Sequence, residues 1–226
     1  MRVIAFASRK GGVGKTTLVG HLAVEAERRG AGPVALIDTD PQGSLAAWWN
    51  QRSAETPLFV GIDIRRLDEQ LTELRNHGVK LVIIDTPPTV DHIEKVIMMA
   101  DLVLVPVRPS PHDLRSIAAT VDLIEAANKR MAFIVNGASV NSRISNEAVV
   151  ALAEHGRVAP VKIHQRVNFA ATMTDGRTVC EVEPDSRAAG EIEELWDYVQ
   201  RLLPTLKKKN TNGRKDDALE ERVDRP

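Results

Sequence analysis

A chain of 226 residues, with 43% hydrophobic and 27% charged residues and a formal net charge of −1, has the make-up of one globular domain with a sizeable core. That balance excludes a wholesale basic nucleic-acid binder, so any contact with nucleic acid must come from a local patch. The single cysteine, Cys180, excludes an internal disulfide and fits a reducing cytoplasm; no apolar stretch approaches the ~20 residues of a membrane span, and the N-terminus lacks a signal-peptide pattern.

The first apolar run, Val3 to Ala7, reads as a buried strand. It leads into Ser8-Arg9-Lys10-Gly11-Gly12-Val13-Gly14-Lys15-Thr16-Thr17, and a helical pattern from Leu18 to Arg29 follows, with the helix opening near Lys15. Strand, glycine-rich loop and helix form the context of a phosphate-binding loop. Glycines at 11, 12 and 14 allow successive backbone N–H groups to turn toward a phosphate chain, and the helix start adds unpaired donors and a positive dipole end. Lys15 is expected on the β- and γ-phosphates and the Thr16 hydroxyl on Mg²⁺. A plain glycine-rich turn with solvated lysines would explain neither the strand before it nor the carboxylates after it.

Pro33 to Asp38 reads as a second buried strand, set off from the helix by Gly30 and Gly32. It runs into Asp38-Thr39-Asp40-Pro41-Gln42-Gly43-Ser44, which places carboxylates at the carboxyl end of a buried strand, where open α/β sheets bind ligands. The simpler reading of Asp38 and Asp40 is a helix cap before Leu45 to Gln51. Of Trp48 and Trp49 on that helix, one is expected in the core and one half exposed. Ile62 to Ile64 reads as a short edge strand, and Leu67, Leu71 and Leu74 mark a helix ending at Gly78. Leu81 to Asp85 is the clearest buried strand, followed by Thr86-Pro87-Pro88-Thr89. Further strands are expected over Asp101 to Val107, Met131 to Val135 and Val158 to Ile163. Helices are expected over Pro111 to Asn128, Ser142 to His155 and Ala188 to Leu203. The alternation predicts a doubly wound, mostly parallel sheet with helices on both faces, a three-layer α/β/α architecture.

The phosphate loop departs from G-x-x-x-x-G-K-[ST] by carrying Arg9 where glycine is usual and by adding a second lysine, Lys10. K-G-G-x-G-K-T-T resembles the deviant Walker A loop of the ParA/MinD family of ATPases, and Asp38-Thr39-Asp40-Pro41-Gln42-Gly43 resembles that family's next motif. The resemblance covers residues 1–203 and implies a P-loop ATPase domain binding ATP and Mg²⁺. It implies that nucleotide is held by Lys10, Gly11, Gly12, Val13, Gly14, Lys15, Thr16 and Thr17, with Asn136 touching the base. It implies catalytic roles for Lys10, which would reach the other subunit's nucleotide, for Lys15, and for Asp40, which would orient the attacking water. Thr16, Asp38 and Asp85 would form the metal environment, with Thr86 to Thr89 as the γ-phosphate switch. It further implies a slow, partner-stimulated ATP hydrolase that forms a homodimer on binding ATP. Such a protein binds non-specific DNA in that state, stays cytoplasmic and nucleoid-associated, and segregates a plasmid, a chromosome region or a protein assembly through a separate ParB-type adaptor. Arg166, Arg177 and Arg187 are the candidate DNA contacts by that resemblance.

Residues 204–226, with Lys207, Lys208, Lys209, Arg214 and Lys215, read as a disordered polar tail whose basic half could hold a phosphate backbone. Only seven residues precede Ser8, which places the chain with short ParA-like proteins lacking an N-terminal DNA-binding domain. A MinD-like membrane ATPase, or a regulatory ATPase acting on a protein partner without DNA, is the alternative; the former needs bulky apolar residues in a C-terminal amphipathic helix, and the tail after Leu206 offers only Ala218, Leu219 and Val223. One cysteine argues against a shared-cluster carrier, Tyr198 as the only tyrosine against a bacterial tyrosine kinase, and Lys10 with the Asp-Pro-Gln-Gly segment against a small-molecule ligase of related fold.

Overall fold

The computed structural model describes residues 1–203, with the side chains of residues 90–92 excepted. The tail expected over residues 204–226 lies outside the described residues. Strand β1 (Arg2–Phe6) is flanked by β4 (Leu81–Asp85) and β5 (Leu102–Val107). Beyond β4 lie β2 (Val34–Asp38) and β3 (Leu58–Val60); beyond β5 lie β6 (Met131–Ala138), β7 (Arg157–Val158) and β8 (Ile163–His164), the last two both paired with β6. Every pairing is parallel, as the buried, unbroken apolar runs require.

Alternation along the strands feeds two cores. Ile4, Phe6, Leu81 and Ile83 face helices α1 (Lys15–Arg28) and α10 (Arg187–Leu202), joined by α2 (Ser44–Asn50), α8 (Val167–Met173) and α9 (Val179–Val182). Val3, Ala5, Val82 and Ile84 face α3 (Leu67–Asn76), α4 (Val90–Met99), α6 (Ala118–Ala126) and α7 (Arg143–Ala153). The period of two thus buries both sheet faces under helices, giving the expected doubly wound, three-layer arrangement.

Three expected elements differ. Residues 62–64 are not an edge strand. That strand is β3, four residues upstream at its start, where Leu58 to Val60 pair with Ala35 to Ile37. Asp63 instead accepts Arg65 N–H and turns the chain into a 3₁₀ turn over Ile64–Arg66. The single helix expected over 111–128 is two, α5 (Pro111–Ser116) and α6. Ser116 Oγ bonds back to the Asp113 carbonyl at 2.7 Å, and buried Thr120 accepts Arg9 N–H at 3.2 Å, so the junction at Ile117 serves local polar bonds. The strand expected over 158–163 is split into β7 and β8, because Pro160 has no N–H to give to a ladder. Trp48 and Trp49 behave as expected: Trp48 is buried, and Trp49 is half-buried against Phe59 with ring centroids 5.6 Å apart.

Register fixes the heights of the functional strand ends. Asp85 lies opposite Phe6 on one side and Asp38 on the other. The chain therefore leaves β1, β2 and β4 at one level, on the carboxyl edge of the sheet where the strand order diverges around β1.

Candidate functional site

The loop after β1 is shaped by its glycines where backbone sign demands it. Gly12 and Gly14 have φ of +73° and +88°, a region that side chains strain to reach. Gly11 and Gly12 have open space where a side chain would begin, so the loop presents bare backbone to a ligand. Gly14 ends the loop and opens α1 without a side-chain cap, leaving the first-turn donors facing the cavity.

That cavity measures about 700 Å³. Gly11, Gly12, Gly14, Lys15, Thr16 and Thr17 line one wall; Asp40, Pro41, Gln42 and Ser44 line a second; Pro87, Pro88, Thr89 and Arg108 complete it. Lys15 is buried, and its Nζ donates to the Ser8 carbonyl at 3.2 Å and to the Lys10 carbonyl at 3.5 Å. Burial lowers its pKa, while the nearby carboxylates of Asp85 and Asp40 raise it. Lys10, in contrast, is exposed; its backbone N–H donates to Ser8 Oγ.

Thr16 Oγ1 donates to Asp85 Oδ2 at 2.6 Å. Asp85 is 1% exposed, and its other oxygen, Oδ1, has no hydrogen-bond partner among the described residues. Burial pushes its carboxyl up to about 7, against the pull of the Thr16 hydroxyl. A buried carboxylate oxygen without a donor, beside a threonine hydroxyl that follows the loop lysine, is the donor set a Mg²⁺ ion would take with phosphate oxygens and water. The residues fit that ion.

Asp38 has a different occupation. Its carboxylate accepts the backbone N–H groups of Asp40 at 3.0 Å, Leu45 at 3.0 Å and Ala46 at 3.1 Å. It caps the start of α2, which the capping reading anticipated. Burial raises its pKa and those three donors lower it. Asp40 Oδ1 accepts Gln42 N–H at 3.0 Å, which holds the loop as a turn with the carboxylate on the cavity wall.

A second, smaller cavity of about 200 Å³ shares Gly14, Thr17 and Arg108 with the first. Asn136, Gln165, Arg166 and Phe169 line it. Asn136 Nδ2 donates to the Val13 carbonyl at 2.6 Å, so this residue also braces the loop from below. The sequence did not single out Arg108, Gln165 or Phe169 as site residues. Arg108 had one legible signal, its position just past a strand's carboxyl end; Gln165 and Phe169 are brought in by tertiary packing alone.

Of the three arginines named for DNA, Arg166 lines the smaller cavity with Gly14 and Thr17, while Arg177 and Arg187 line neither cavity. Arg166 Nη2 pairs with Glu191 at 2.6 Å, and Glu191 also accepts from His164. Arg177 pairs with Asp175, and Arg187 is exposed at the first residue of α10. Cys180 is buried with its thiol pushed up to about 12 by burial, which leaves it inert.

A parallel sheet with a glycine loop at its divergence, a buried loop lysine and a threonine–aspartate pair at the helix start define a phosphate-loop nucleotide-binding domain. Residues 4–179 match the CobQ/CobB/MinD/ParA nucleotide binding domain, and the chain belongs to that family. Within it, the chain is of the ParA/MinD type of P-loop ATPase. It is 33% identical over 219 residues to "Maintenance of carboxysome distribution protein A" of Gloeobacter kilaueensis, covering 86% of this chain and 95% of the relative. The protein of the same name from Halothiobacillus neapolitanus is 28% identical over 207 residues (87% and 95%), and the chromosome-partitioning ATPase Soj of Thermus thermophilus 27% identical over 238 residues (88% and 95%). The fold is shared with a chain of the MinC:MinD cell division protein complex of Aquifex aeolicus, with a TM-score of 0.76 at 20% identity over 92% of this chain and 99% of that one. Among the described residues no helix is long and apolar enough to cross a membrane.

Proposed function

We propose that the protein is a Mg²⁺-dependent ATPase switch that dimerises around ATP, binds non-specific DNA in that state and positions a large protein assembly. The observation that carries the reading is the convergence of Lys15, Thr16 and Asp40 on one cavity, with Asp85 bonded to the Thr16 hydroxyl and Lys10 exposed next to Gly11. Lys15 binds the β- and γ-phosphates, aided by the loop N–H groups. Thr16 and Asp85 hold Mg²⁺, with Asp38 in its outer environment. When bound, that ion neutralises charge on the phosphate oxygens. Asp40 orients the attacking water. Lys10 reaches across a dimer interface and stabilises charge on the transferring phosphoryl group of the partner's nucleotide. The smaller cavity takes the base, with Asn136 on its wall. Hydrolysis is slow and stimulated by a separate adaptor protein, which makes ATP binding a timed state.

Dimerisation doubles the basic contacts presented to DNA. Affinity depends steeply on the number of phosphates neutralised, so a modest patch including Arg187 becomes an effective tether only in the dimer. Arg166 and Arg177 contribute through positions already balanced by Glu191 and Asp175. A protein assembly is favoured as cargo because two of the relatives are named for carboxysome distribution.

The test is binding of non-specific duplex DNA with ATP, ADP and no nucleotide across a salt series, beside Lys15→Ala. Binding that needs ATP, weakens steeply with salt and is lost in the variant is expected. Absence of DNA binding in every state, with ATP still bound, overturns the DNA part; liposome co-sedimentation with ATP then decides whether a membrane partner takes its place.

A further inference from the structure

The wall of the nucleotide cavity that carries Asp40 continues directly into α2. Asp38 holds the first turn of that helix through Leu45 and Ala46, so Asp40, its loop and α2 form one short body. The far end of α2 is locked to a distant part of the chain. Arg52, whose side chain is 2% exposed, donates from Nη1 to the Gly176 carbonyl and to Glu181 Oε2, and from Nη2 to Glu181 Oε1 at 2.8 Å and the Thr56 carbonyl at 2.9 Å. Its guanidinium also lies over the Trp48 ring, 5.1 Å from the centroid. Trp48 Nε1 donates to the Arg177 carbonyl at 3.3 Å.

The backbones are equally close. Gly176 has φ of +78°, and a side chain begun there would stand 2.3 Å from Arg52 N. Glu181 in turn accepts from the Thr178 N–H and hydroxyl in the capping box of α9. Arg52 therefore grips a segment whose own turn is internally fixed. A buried guanidinium bonded to both oxygens of one carboxylate resists partial opening, because release would leave charge without a partner.

We infer that Arg52, with Trp48 and Glu181, is a positioning unit that couples the Asp40 wall of the nucleotide site to the 174–182 segment. Displacement of the Asp40 loop on nucleotide binding moves α2, and the grip passes that displacement to the backbone of residues 176–181. Those residues lead into α10, which starts with Arg187. The nucleotide state is thereby written onto a surface on the far side of α2. This rests on the reading that the large cavity binds ATP, and it does not require that DNA be the partner.

Hydrogen–deuterium exchange of the full chain, with and without a non-hydrolysable ATP analogue and Mg²⁺, tests it. In the wild type, backbone amides of 174–182 are expected to exchange at least about threefold more slowly or faster when the analogue is bound. In Arg52→Lys, which keeps charge and loses the fork, and in Trp48→Phe, which keeps an aromatic ring and loses the donor, that response is expected to vanish while analogue affinity stays within about threefold. A merely structural role would instead raise exchange in both states and keep the response. A wild-type segment that ignores the bound analogue overturns the coupling, whether or not the variants fold. Variants that retain the full response overturn it too. Failure of the wild type to bind the analogue at all is a different result, and it overturns the nucleotide reading itself.

Discussion

His21 offers a perturbation whose size follows from the structure. It lies on α1 one turn beyond Thr17, is wholly buried, and meets Phe169 edge-on with ring centroids 5.2 Å apart. Its Nδ1 lies 2.8 Å from the Thr17 carbonyl, an acceptor, so Nδ1 carries the proton and Nε2 is the bare nitrogen. Nε2 is buried without a partner among the described residues. Protonation would place a charge there, and burial lowers the pKa from 6.5 to about 4, opposed by the Thr17 carbonyl and Glu181. The unfolded chain takes the proton below about 6.5 and the native chain only below about 4, so the stability is present above the unfolded value and lost as pH falls. The displacement is worth about 3 kcal/mol once both states are protonated and about 2 kcal/mol at pH 5. Urea unfolding of wild type and His21→Leu from pH 8 to 4.5, in chelator and without nucleotide, measures it. The variant loses one side-chain bond at every pH, but the Thr17 carbonyl keeps its helical partner, and the pH-dependent part disappears. The wild type is expected to lose about 2 kcal/mol more than the variant between pH 8 and pH 5. Parallel stability curves would refute both the tautomer and the burial argument.

Asp85→Asn has the opposite sign. A carboxyl pushed up to about 7 costs native stability as pH rises from 3.8 through 7, so in chelator the variant is expected to gain on the wild type between pH 5 and pH 8. The same variant should lose the Mg²⁺-dependent part of any ATP-induced rise in Tm; an unchanged rise removes Asp85 from the metal environment. Gly14→Ala places a side chain in a φ of +88° and 2.3 Å from Asn136 Nδ2, and a loss of about 1–3 kcal/mol with at least tenfold weaker ATP binding is expected. Adding Asn136→Ala should restore only the steric part, and full recovery would show that backbone sign is irrelevant there. Lys10→Ala, at an exposed position, should change stability by less than about 0.5 kcal/mol and keep ATP binding while abolishing the ATP-induced dimer in light scattering. A variant that still dimerises and hydrolyses ATP sinks the trans-acting role.

The chemistry-bearing stretches were legible because their signals are local. Glycines 11, 12 and 14 before Lys15, and apolar runs ending in Asp38 and Asp85, state both the loop and the strands that deliver carboxylates to it. The weaker elements failed where a single residue redirected the backbone, by a polar side-chain bond or by lacking an N–H. Asp63 turned the chain before a strand could form, Ser116 bonded backward and broke a helix, and Pro160 split a strand. Asp38 shows the other limit: the sequence offered capping and metal roles together, and only the positions of Leu45 and Ala46 N–H assign it the capping bonds.

By itself the sequence determined the fold class and the glycine loop between the first strand and the first helix, because strand periodicity and glycine geometry act over a few residues. The tertiary structure alone decided that Asp85 shares a level with Phe6 and Asp38, that Asn136 braces the loop from 123 residues away, and that Arg52 meets Glu181 across 129. Those outcomes depend on sheet register and on which helix covers which face, and contacts between segments so far apart leave no periodic trace in the chain.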